Sequence, residues 1–418
     1  MSQSQPRLDL RDVALARSSG VLIVRVAGDT NPPRSPWRQG PFPWPLPPTD
    51  GKYIFRDTAD ERTRSEFFEA RIRPLLYGNV RWHRDAPADL RLGQWPVTAS
   101  ELLRYPDSYG PPGALLIIHV SLECDDLASA ASAVSRLANM RPVRSQDDSN
   151  LEEVTRAVGA LLPGVAVVFQ RTAYVVSHLT TVNGLADHEQ LADVPHVAAP
   201  HAAARLLASA NEADALPGSL QHPELGIQDI TVSASWVAAV LRTGCAFVGR
   251  TPERGDDFHS MAEVHVHSLY LDAILVGLLQ RDCIEERTNG LVTTWESKAR
   301  VKDIARQERL IIQLRGQAWW LEISQAENPN RLLGALQTQY RLPDQLERLN
   351  RDVMDLARIT DAARQERTNR LLNILVVASA ALGFAALIAD PGRAAVIWGV
   401  GLALVAWLVI VLAGRDRP

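Results

Sequence analysis

Two long apolar runs without a charged side chain lie near the C-terminal end of the chain. They are Leu371–Ala389 and Ala394–Ala413, and only the four residues Asp390–Arg393 separate them. At about 1.5 Å of rise per residue, each run forms a helix of roughly 30 Å, the thickness of a bilayer's hydrocarbon core. A buried pair of core helices is the alternative, but such helices seldom run this far without a charge. The pattern therefore predicts a hairpin of two membrane-spanning helices.

Between residues 1 and 250 the apolar side chains instead form short runs rich in β-branched residues, which predict strands. The clearest runs are Gly20–Ala27, Ala114–Leu122 and Gly164–Gln170, and helical spacing is found at Ala128–Met140 and Leu151–Leu162. Alternating strands and helices predict an α/β domain with at least one face of its sheet covered. The same reasoning predicts further elements, namely the helices Asp60–Leu76 and His201–Ala210, the strand Tyr174–Ser177, and a hairpin of Trp236–Arg242 with Cys245–Gly249.

From Phe258 onward the spacing of apolar residues is helical almost to the C-terminus. Two helices are predicted at Met261–Glu286 and Trp295–Ser324, the first stopped at Thr288-Asn289-Gly290 and the second at Asn328-Pro329. A third begins near Pro343, since proline suits a first helical turn. Along it, residues recur at spacings of three and four and predict a coiled-coil seam that packs against partner helices or other subunits. The seam residues are Leu346, Leu349, Val353, Leu356, Thr360 and Ala363.

The third helix has no internal breaking residue. Neither proline nor glycine occurs between Asp344 and Leu382, so the helix is predicted to continue into the first apolar run. The result is one helix of about 47 residues and roughly 70 Å. Such a helix is a rigid lever, because an event that tilts its first half must displace its second half.

The charges that flank the apolar runs predict their orientation. Arginines 364, 367 and 370 precede the first run and arginines 415 and 417 follow the second, whereas the connecting turn carries one Arg beside one Asp. The positive-inside rule therefore places both flanks in the cytoplasm. Residues 1–20 contain no apolar core, so we expect no signal peptide and a cytoplasmic N-terminal part. The three cysteines lie far apart without a CxxC spacing, which is typical of a reducing compartment.

Composition narrows the class of protein. A net charge of −4 over 418 residues gives no nucleic-acid footprint. Only three of the 44 basic residues are lysines, and with abundant alanine this is typical of a GC-rich bacterial genome. We therefore expect an α+β protein of the bacterial inner membrane, with multiple spans and both termini cytoplasmic. Its predicted domains are a cytosolic α/β sensor or interaction domain (1–250), a helical stalk (258–370) and a transmembrane hairpin (371–414).

Residues 31–48 are rich in proline and tryptophan and can form neither a helix nor a central strand. One interpretation is a polyproline-like segment that docks a protein partner. The alternative is a long surface loop pinned by Trp37 and Trp44, which we favour.

One helix face carries candidate metal ligands. His259, Glu263 and His267 are spaced by four residues, so imidazole and carboxylate groups lie one turn apart and could share a divalent cation. His259 and His267 are about 12 Å apart, so one ion would need further ligands, for which Asp256 and Asp257 are candidates. The alternative is a solvated polar face. Catalytic motifs are missing from the sequence, including the P-loop, Gly-x-Ser-x-Gly and His-Glu-x-x-His, so we predict no enzymatic activity and no catalytic residues.

Four positions stand out in or beside the first apolar run. Asn373 is strongly polar within it, and polar residues in spans usually face a partner helix or a wet cavity. Ser379 and Gly383 form a pair of small residues that permits close helix contact. Asp390 is the acidic group at the outer end. These positions are the candidate pore or contact residues of the hairpin.

The order of these elements resembles the plan of the CorA-like metal-ion transporters. The resemblance rests on the N-terminal α/β domain, the long helix that enters the first span, the short external turn and the second span, and it is specific only in residues 258–414. It implies a homopentameric funnel whose first spans line a pore gated by divalent ions. The Gly-Met-Asn signature of that family is missing, since Leu387–Gly392 reads LIADPG.

A second resemblance is to membrane proteins of bacterial conflict systems associated with caspase and TPR-repeat genes. The matching segments are His267–Gln280, Trp319-Trp320 and Gln339–Pro343. This resemblance implies a membrane effector or scaffold. Three classes therefore remain open, namely an effector or signalling protein controlled by a cytosolic sensor, a divalent-cation channel, and a membrane-anchored scaffold or enzyme.

Overall fold

The structure is a computed structural model. It describes residues 7–32, 35–46, 58–108, 110–138, 149–168, 173–187, 189–192, 194–209, 228–250, 256–296, 301–317, 319–388 and 399. The chain is α+β, as its sequence predicts.

The strands of the described residues are β1 (Arg7–Leu8), β2 (Leu15–Gly28), β3 (Arg38–Gln39), β4 (Trp44–Pro45), β5 (Thr58–Ala59), β6 (Arg81–Asp85), β7 (Arg91–Leu92), β8 (Trp95–Arg104), β9 (Ala114–Ser121), β10 (Val165–Val167), β11 (Tyr174–Thr181), β12 (Gln190–Leu191), β13 (Val194–Ala198), β14 (Gln228–Thr231), β15 (Trp236–Val240) and β16 (Gly244–Gly249).

The helices are α1 (Glu61–Ser65), α2 (Arg73–Leu76), α3 (Leu127–Ala138), α4 (Ser149–Leu161), α5 (Ala199–Ser209), α6 (Asp256–His265), α7 (Leu271–Glu296), α8 (Val301–Gln317), α9 (Glu327–Tyr340) and α10 (Leu342–Ile388). Two short 3₁₀ turns are formed by Leu10–Asp12 and Gly78–Val80, and a π-helical turn, Val266–Tyr270, joins α6 to α7.

Within the described residues the main sheet has eleven strands in the order β14-β15-β16-β11-β2-β9-β8-β6-β3, with β10 paired to β2 and β7 to β8. Its neighbouring strands are antiparallel except for β11 and β16. The sheet of the predicted α/β domain is therefore largely antiparallel. Adjacent strands such as β8 and β9 are joined by short connections, which suit antiparallel pairing.

Helices cover both faces of this sheet, and the central strand β2 shows why. Its side chains alternate, so Leu22 and Val24 enter a core shared with α3, α4 and α5, whereas Val21 and Ile23 enter a second core shared with α7 and α9. We call these the first and second cores. A strand buried on both faces reads as a continuous apolar run, which explains why Gly20–Ala27 was recognisable in the sequence.

Several predicted elements are confirmed within a few residues, including Ala114–Leu122 (β9), Ala128–Met140 (α3) and the hairpin of β15 and β16. The predicted helix Asp60–Leu76 is instead split into α1 and α2. Between them the backbone turns toward the C-terminal half, where the Glu69 amide donates to the Ile323 carbonyl at 2.9 Å. Phe68 is 2% exposed at this point, so burial of its ring accompanies the break in the helix.

The helix stops predicted in the second half are wrong. α7 continues through Thr288-Asn289-Gly290 to Glu296, and the Thr288 hydroxyl donates to the Ile284 carbonyl within the helix. Asn328-Pro329 lies inside the first turn of α9, a position where proline loses no helical hydrogen bond. α8 ends at Gln317, before the two tryptophans that the predicted helix included.

The prediction of a long continuous helix is confirmed by α10, whose 47 residues end at Ile388. Its seam residues Leu346, Leu349, Val353 and Leu356 are only 2–5% exposed. These four positions are therefore covered within this chain. The side chains of the last two seam positions, Thr360 and Ala363, are not among those described.

Within the described residues, one helical stretch is long and apolar enough to cross a membrane. It is Met261–Thr294, and its most apolar window of 18 residues is 78% buried inside the protein. A core helix meets the same criterion, and this stretch supplies the centre of the second core. In the first predicted span the described side chains end at Ala381. The second predicted span, Ala394–Ala413, lies outside the described residues except for the backbone of Gly399.

The chain divides into two compact units. The first comprises residues 1–293 and 307–349, and the second comprises residues 294–306 and 350–418. The first unit contains the sheet, most of α7 and α9, so the predicted boundary near residues 250–258 falls inside it.

Candidate functional site

Five neighbouring strands each contribute at least one buried polar side chain to the same face of the main sheet. The strands are β6, β8, β9, β2 and β11, and the residues, which we call the polar row, are Arg81, Glu101, His119, Ser19 and His178. None of the five is more than 5% exposed. They lie on the face of the second core, because side chains two positions apart share a face and Leu103, Ile117, Val21 and Val176 belong to that core. Buried polar groups are costly unless they form hydrogen bonds, so the row needs partners.

Asp272, in the first turn of α7, pairs with two arginines. Arg64 binds it with two hydrogen bonds, Nε to Oδ2 at 2.9 Å and Nη2 to Oδ1 at 2.6 Å. Arg81 Nη1 donates to Oδ1 at 2.6 Å, and the Tyr77 hydroxyl donates to Oδ2 at 2.8 Å. Burial, together with the charge of Asp272, raises the pKa of Tyr77 well above its ordinary value, so the phenol remains a donor. Asp272 thus fastens α7 to α1 and β6.

Glu101 is the second buried carboxylate. It accepts hydrogen bonds from Arg81 Nε at 2.7 Å, from the backbone amide of Phe42 at 3.0 Å and from His119 Nε2 at 3.1 Å. Burial alone would raise the pKa of Glu101. The charges of Arg81 and Arg64 and the hydrogen bond from His119 outweigh burial and lower that pKa. Glu101 is therefore ionised, and two carboxylates balance two guanidinium groups in the protein interior.

Two histidines continue the network away from Glu101. His119 Nδ1 and His267 Nδ1 are 2.8 Å apart, and His267 Nε2 is 2.9 Å from Ser19 Oγ. Ser19 Oγ is in turn 3.5 Å from His178 Nδ1. Burial lowers the pKa of His119, although its hydrogen bond to Glu101 offsets part of the effect. Burial and the neighbouring His119 and His178 lower the pKa of His267 well below its ordinary value. Both rings are therefore neutral near pH 7.

The positions of the hydrogens follow from the donor and acceptor properties of these groups. Ionised Glu101 can only accept, so His119 carries its proton on Nε2 and accepts at Nδ1. His267 must then donate from Nδ1 and accept at Nε2, and Ser19 supplies that donor. In each of the three hydrogen bonds the donor is therefore the residue farther from Glu101. We call Glu101, His119, His267 and Ser19 the relay.

The π-helical turn places His267 in this position. A π turn inserts an extra residue into a helix and is frequent at functional sites. His267 and Ser268, at its centre, are 3% and 2% exposed. The Ser268 carbonyl accepts a hydrogen bond from Arg64 Nη2 at 3.4 Å, and Asp272 follows one turn later. The irregular turn thereby presents an imidazole, a carbonyl and a carboxylate to the same buried network.

Part of the proline-rich insert lies over the histidines. The Trp44 ring centroid is 5.0 Å from that of His119 and 4.8 Å from that of His267. The Phe42 backbone donates to Glu101 and accepts from Arg64 Nη1 at 3.3 Å. We call Phe42–Trp44 the cap segment. Trp37 is 3% exposed in the first core. Both tryptophans of the insert therefore pack against the protein, and its described residues include the two short strands β3 and β4.

The predicted metal ligands have different surroundings. Both ring nitrogens of His267 take part in the relay. Glu263 forms an ion pair with Arg17 at 3.2 Å, and these side chains are 28% and 34% exposed. The side chain of His259 lies outside the described residues. Among the residues described, no group of three His, Cys, Asp or Glu side chains is arranged to hold a metal ion. Divalent-cation binding stays a prediction.

The predicted membrane positions fall at the end of α10. Asn373 and Ser379 are exposed, and the Ser379 hydroxyl donates to the Val376 carbonyl at 2.9 Å. Gly383 lies within the helix, and Asp390 lies outside the described residues. Their role in a pore stays a prediction.

Most residues of the network were missed by sequence reasoning, because their partners are far apart in the chain. Ser19 and His267 are separated by 248 positions, and Arg64 and Asp272 by 208. One signal could have identified several of them. His119 and His178 stand alone inside apolar strands, and Asp272 stands inside an apolar helix. A titratable residue in such a position must find a partner.

Chemically, the arrangement can take up, hold and relay a proton between Ser19 and Glu101. It provides several buried titratable groups in one chain of hydrogen bonds, covered by an aromatic segment. No protein-family model matches the sequence, and no curated protein is significantly similar to it.

Proposed function

We propose that this chain is a membrane effector or signalling protein. In this proposal the first unit receives a signal, and α10 transmits it to a membrane segment. The observation that supports this proposal most directly is the surface of α10 after residue 370. Five large apolar side chains there are 38–68% exposed, namely Leu371, Leu372, Ile374, Val376 and Val377.

The distribution of these side chains favours lipid over a protein partner. At 100° per residue, the five positions surround the helix axis and do not form one stripe. A helix that packs on one partner needs an apolar stripe, whereas a helix that is apolar all round is buried in a large core or in a membrane. The side chains point in all directions and are exposed in the chain, which favours the bilayer.

The packing of the first turns of α10 supports coupling of this helix to the first unit. Leu342 and Leu346 are at most 5% exposed and form a small cluster with Cys283, Ile284 and Leu314. Leu342 and Leu346 belong to the first unit, and α10 continues unbroken into the second. The same helix therefore has its first turns in a packed core and its later turns apolar and exposed. A CorA-like cation channel would have the same order of elements. It is therefore the alternative function.

A cysteine-accessibility experiment tests membrane insertion. Val377 and Met354 are similarly exposed in the structure, at 68% and 57%, so cysteines at the two positions should react alike in a water-soluble protein. Each would be introduced into a chain whose native cysteines are replaced by alanine, and membranes would be treated with a bilayer-impermeant maleimide. We expect labelling at position 354 and protection at position 377 until detergent is added. Equal labelling at both positions before detergent would contradict the proposal.

A further inference from the structure

We propose that the His119–His267 pair is a proton-binding site, and that proton uptake loosens the cap segment Phe42–Trp44 from the sheet. The residues concerned all lie in the first unit, so the proposal does not depend on membrane insertion.

The first argument is charge balance. Arg64 and Arg81 are matched by Asp272 and Glu101, so the buried cluster is neutral while both histidines are neutral. One further proton leaves an unbalanced positive charge in a site whose side chains are at most 3% exposed. An uncompensated charge is the least favourable group in a protein interior.

The second argument is the geometry of the two rings. Their Nδ1 atoms lie 2.8 Å apart, so one must donate and the other must accept. If both rings become protonated, two N–H groups face each other. If only one extra proton enters, His267 Nε2 must donate to Ser19. The charge then lies on His267 or, when the proton between the two rings shifts, on His119 beside Glu101. Either change alters the surface on which Trp44 packs.

No other carboxylate is placed to neutralise the new charge among the described residues around the pair. The charged and titratable groups that face it come from seven elements. They are Glu101 on β8, Arg81 on β6, Arg64 on α1, Asp272 on α7, His178 on β11, and the Arg17–Glu263 pair between β2 and α6. Each of the three acids already has an arginine partner. Proton uptake therefore has to be relieved by movement.

The cap segment is the part of the site best placed to move. Trp44 is half-buried, and its indole N–H is buried without a hydrogen-bond partner among the described residues. A buried donor without a partner is unfavourable. Release of the cap lets this N–H and the protonated pair reach water, whereas movement of α7 would break the Asp272 ion pairs.

Hydrogen–deuterium exchange of the purified full-length protein tests the proposal. Exchange of peptides that cover residues 38–46 is compared at pH 7.5, 6.5 and 5.5, after correction for the intrinsic pH dependence of amide exchange. Proton linkage shifts an opening equilibrium by up to tenfold per pH unit and per proton. We expect corrected exchange of the cap peptides to increase about tenfold between pH 6.5 and pH 5.5, and an unchanged rate would overturn the proposal.

Variants assign the response to the pair. His267→Gln keeps one donor and one acceptor but cannot take up a proton, so the cap response should disappear, and His119→Gln should have the same effect. His265→Gln is the matched control. His265 is the last residue of α6, two positions before His267, and is half-buried, and its ring contacts that of Tyr270. The control should respond like the unmodified protein. A response that persists in both relay variants would refute the assignment.

A further measurement requires no substitution. Ring-nitrogen chemical shifts of labelled histidine in the unmodified protein report when a buried histidine becomes protonated. Cap opening at a pH where no buried histidine titrates would also overturn the proposal.

Discussion

Asp272 shows at the residue scale how the network contributes to stability. It accepts four hydrogen bonds from three side chains and is fully buried. Removal of one member of a buried ion pair leaves the remaining charges unpaired, which costs more than the pair contributes by itself.

We predict that Asp272→Asn lowers the free energy of unfolding by about 3–5 kcal/mol, because Arg64 and Arg81 lose their shared counter-charge. Chemical denaturation measures this change. The matched control is Asp107→Asn, since the side chain of Asp107 is 88% exposed and also pairs with an arginine. The control should change stability little, as exposed pairs contribute little. Equal effects of the two substitutions would contradict the prediction.

Acidification should destabilise the protein between pH 7.5 and pH 5.5. Burial lowers the pKa of His119, His265 and His267 below the ordinary value of 6.5. The unfolded state therefore binds more protons, and stability present above pH 6.5 is lost as the pH falls below it. The loss is at most about 1.4 kcal/mol per histidine per pH unit. The pKa of Glu101 is lowered in the folded state, so its contribution to stability is lost only below about pH 4.5, outside this pH range.

Urea unfolding at pH 7.5 and pH 5.5 measures the change in the free energy of unfolding. Greater stability at pH 5.5 would contradict the prediction.

Close packing at the scale of elements decides which positions of the helices tolerate change. α7 and α9 contribute adjacent residues to the second core. A Cβ atom built on Gly277 would lie 2.2 Å from Leu336 Cδ2, whereas one built on Gly334 would meet nothing within 4 Å. The two glycines are thus a matched pair.

We predict opposite effects of alanine at these two positions. Gly334→Ala should stabilise the protein by up to about 1 kcal/mol through helix propensity. Gly277→Ala receives the same benefit but overpacks a core in which Leu336 is fully buried, and overpacking costs about 1–3 kcal/mol. Thermal unfolding of both variants tests the difference. A Gly277→Ala protein as stable as Gly334→Ala would show that the α7–α9 contact is looser than described.

The lever role of α10 depends on its continuity. Spin labels at Met354 and Val377, both exposed, should be about 35 Å apart in an unbroken helix. Ala363→Pro between them should kink the helix, at a cost of about 3 kcal/mol or more, and should broaden or shorten this distance without preventing membrane localisation. Any signal-dependent toxicity or permeability in cells should also be lost. Undiminished activity of a kinked, membrane-bound variant would make α10 a tether and not a lever.

At the scale of the whole molecule, the first unit joins the sheet to the helices that follow it, and α10 passes from this unit into the second. Leu346 and Leu349 of the seam are buried within the first unit, so these two positions are not available to another subunit. The homo-oligomer expected from the sequence, a pentamer by analogy, stays a prediction.

The prediction at this scale concerns the membrane topology of the C-terminal hairpin. Reporter fusions after Pro418 and within Asp390–Arg393 should report opposite sides of the membrane, with the C-terminal reporter in the cytoplasm. The reason is the excess of arginine on the flanks. Reporters on the same side would contradict the hairpin.

The sequence by itself determined the elements whose causes are local. The length and continuity of α10 follow from the missing helix breakers, and β9 and the β15–β16 hairpin follow from compact apolar runs and a turn. These features depend on neighbours within a few residues, which a linear pattern records.

Only the tertiary structure decided the rest. It brought Ser19, His119 and His267 together from a strand, another strand and a π turn, and it revealed that β8 is a strand although Glu101 lies within it. It also decided that the first four seam positions of α10 are covered by the chain's own residues. The physical reason is common to these cases. The burial of a polar or apolar side chain is acceptable only if a distant partner satisfies or covers it, and the position of that partner is a property of the fold.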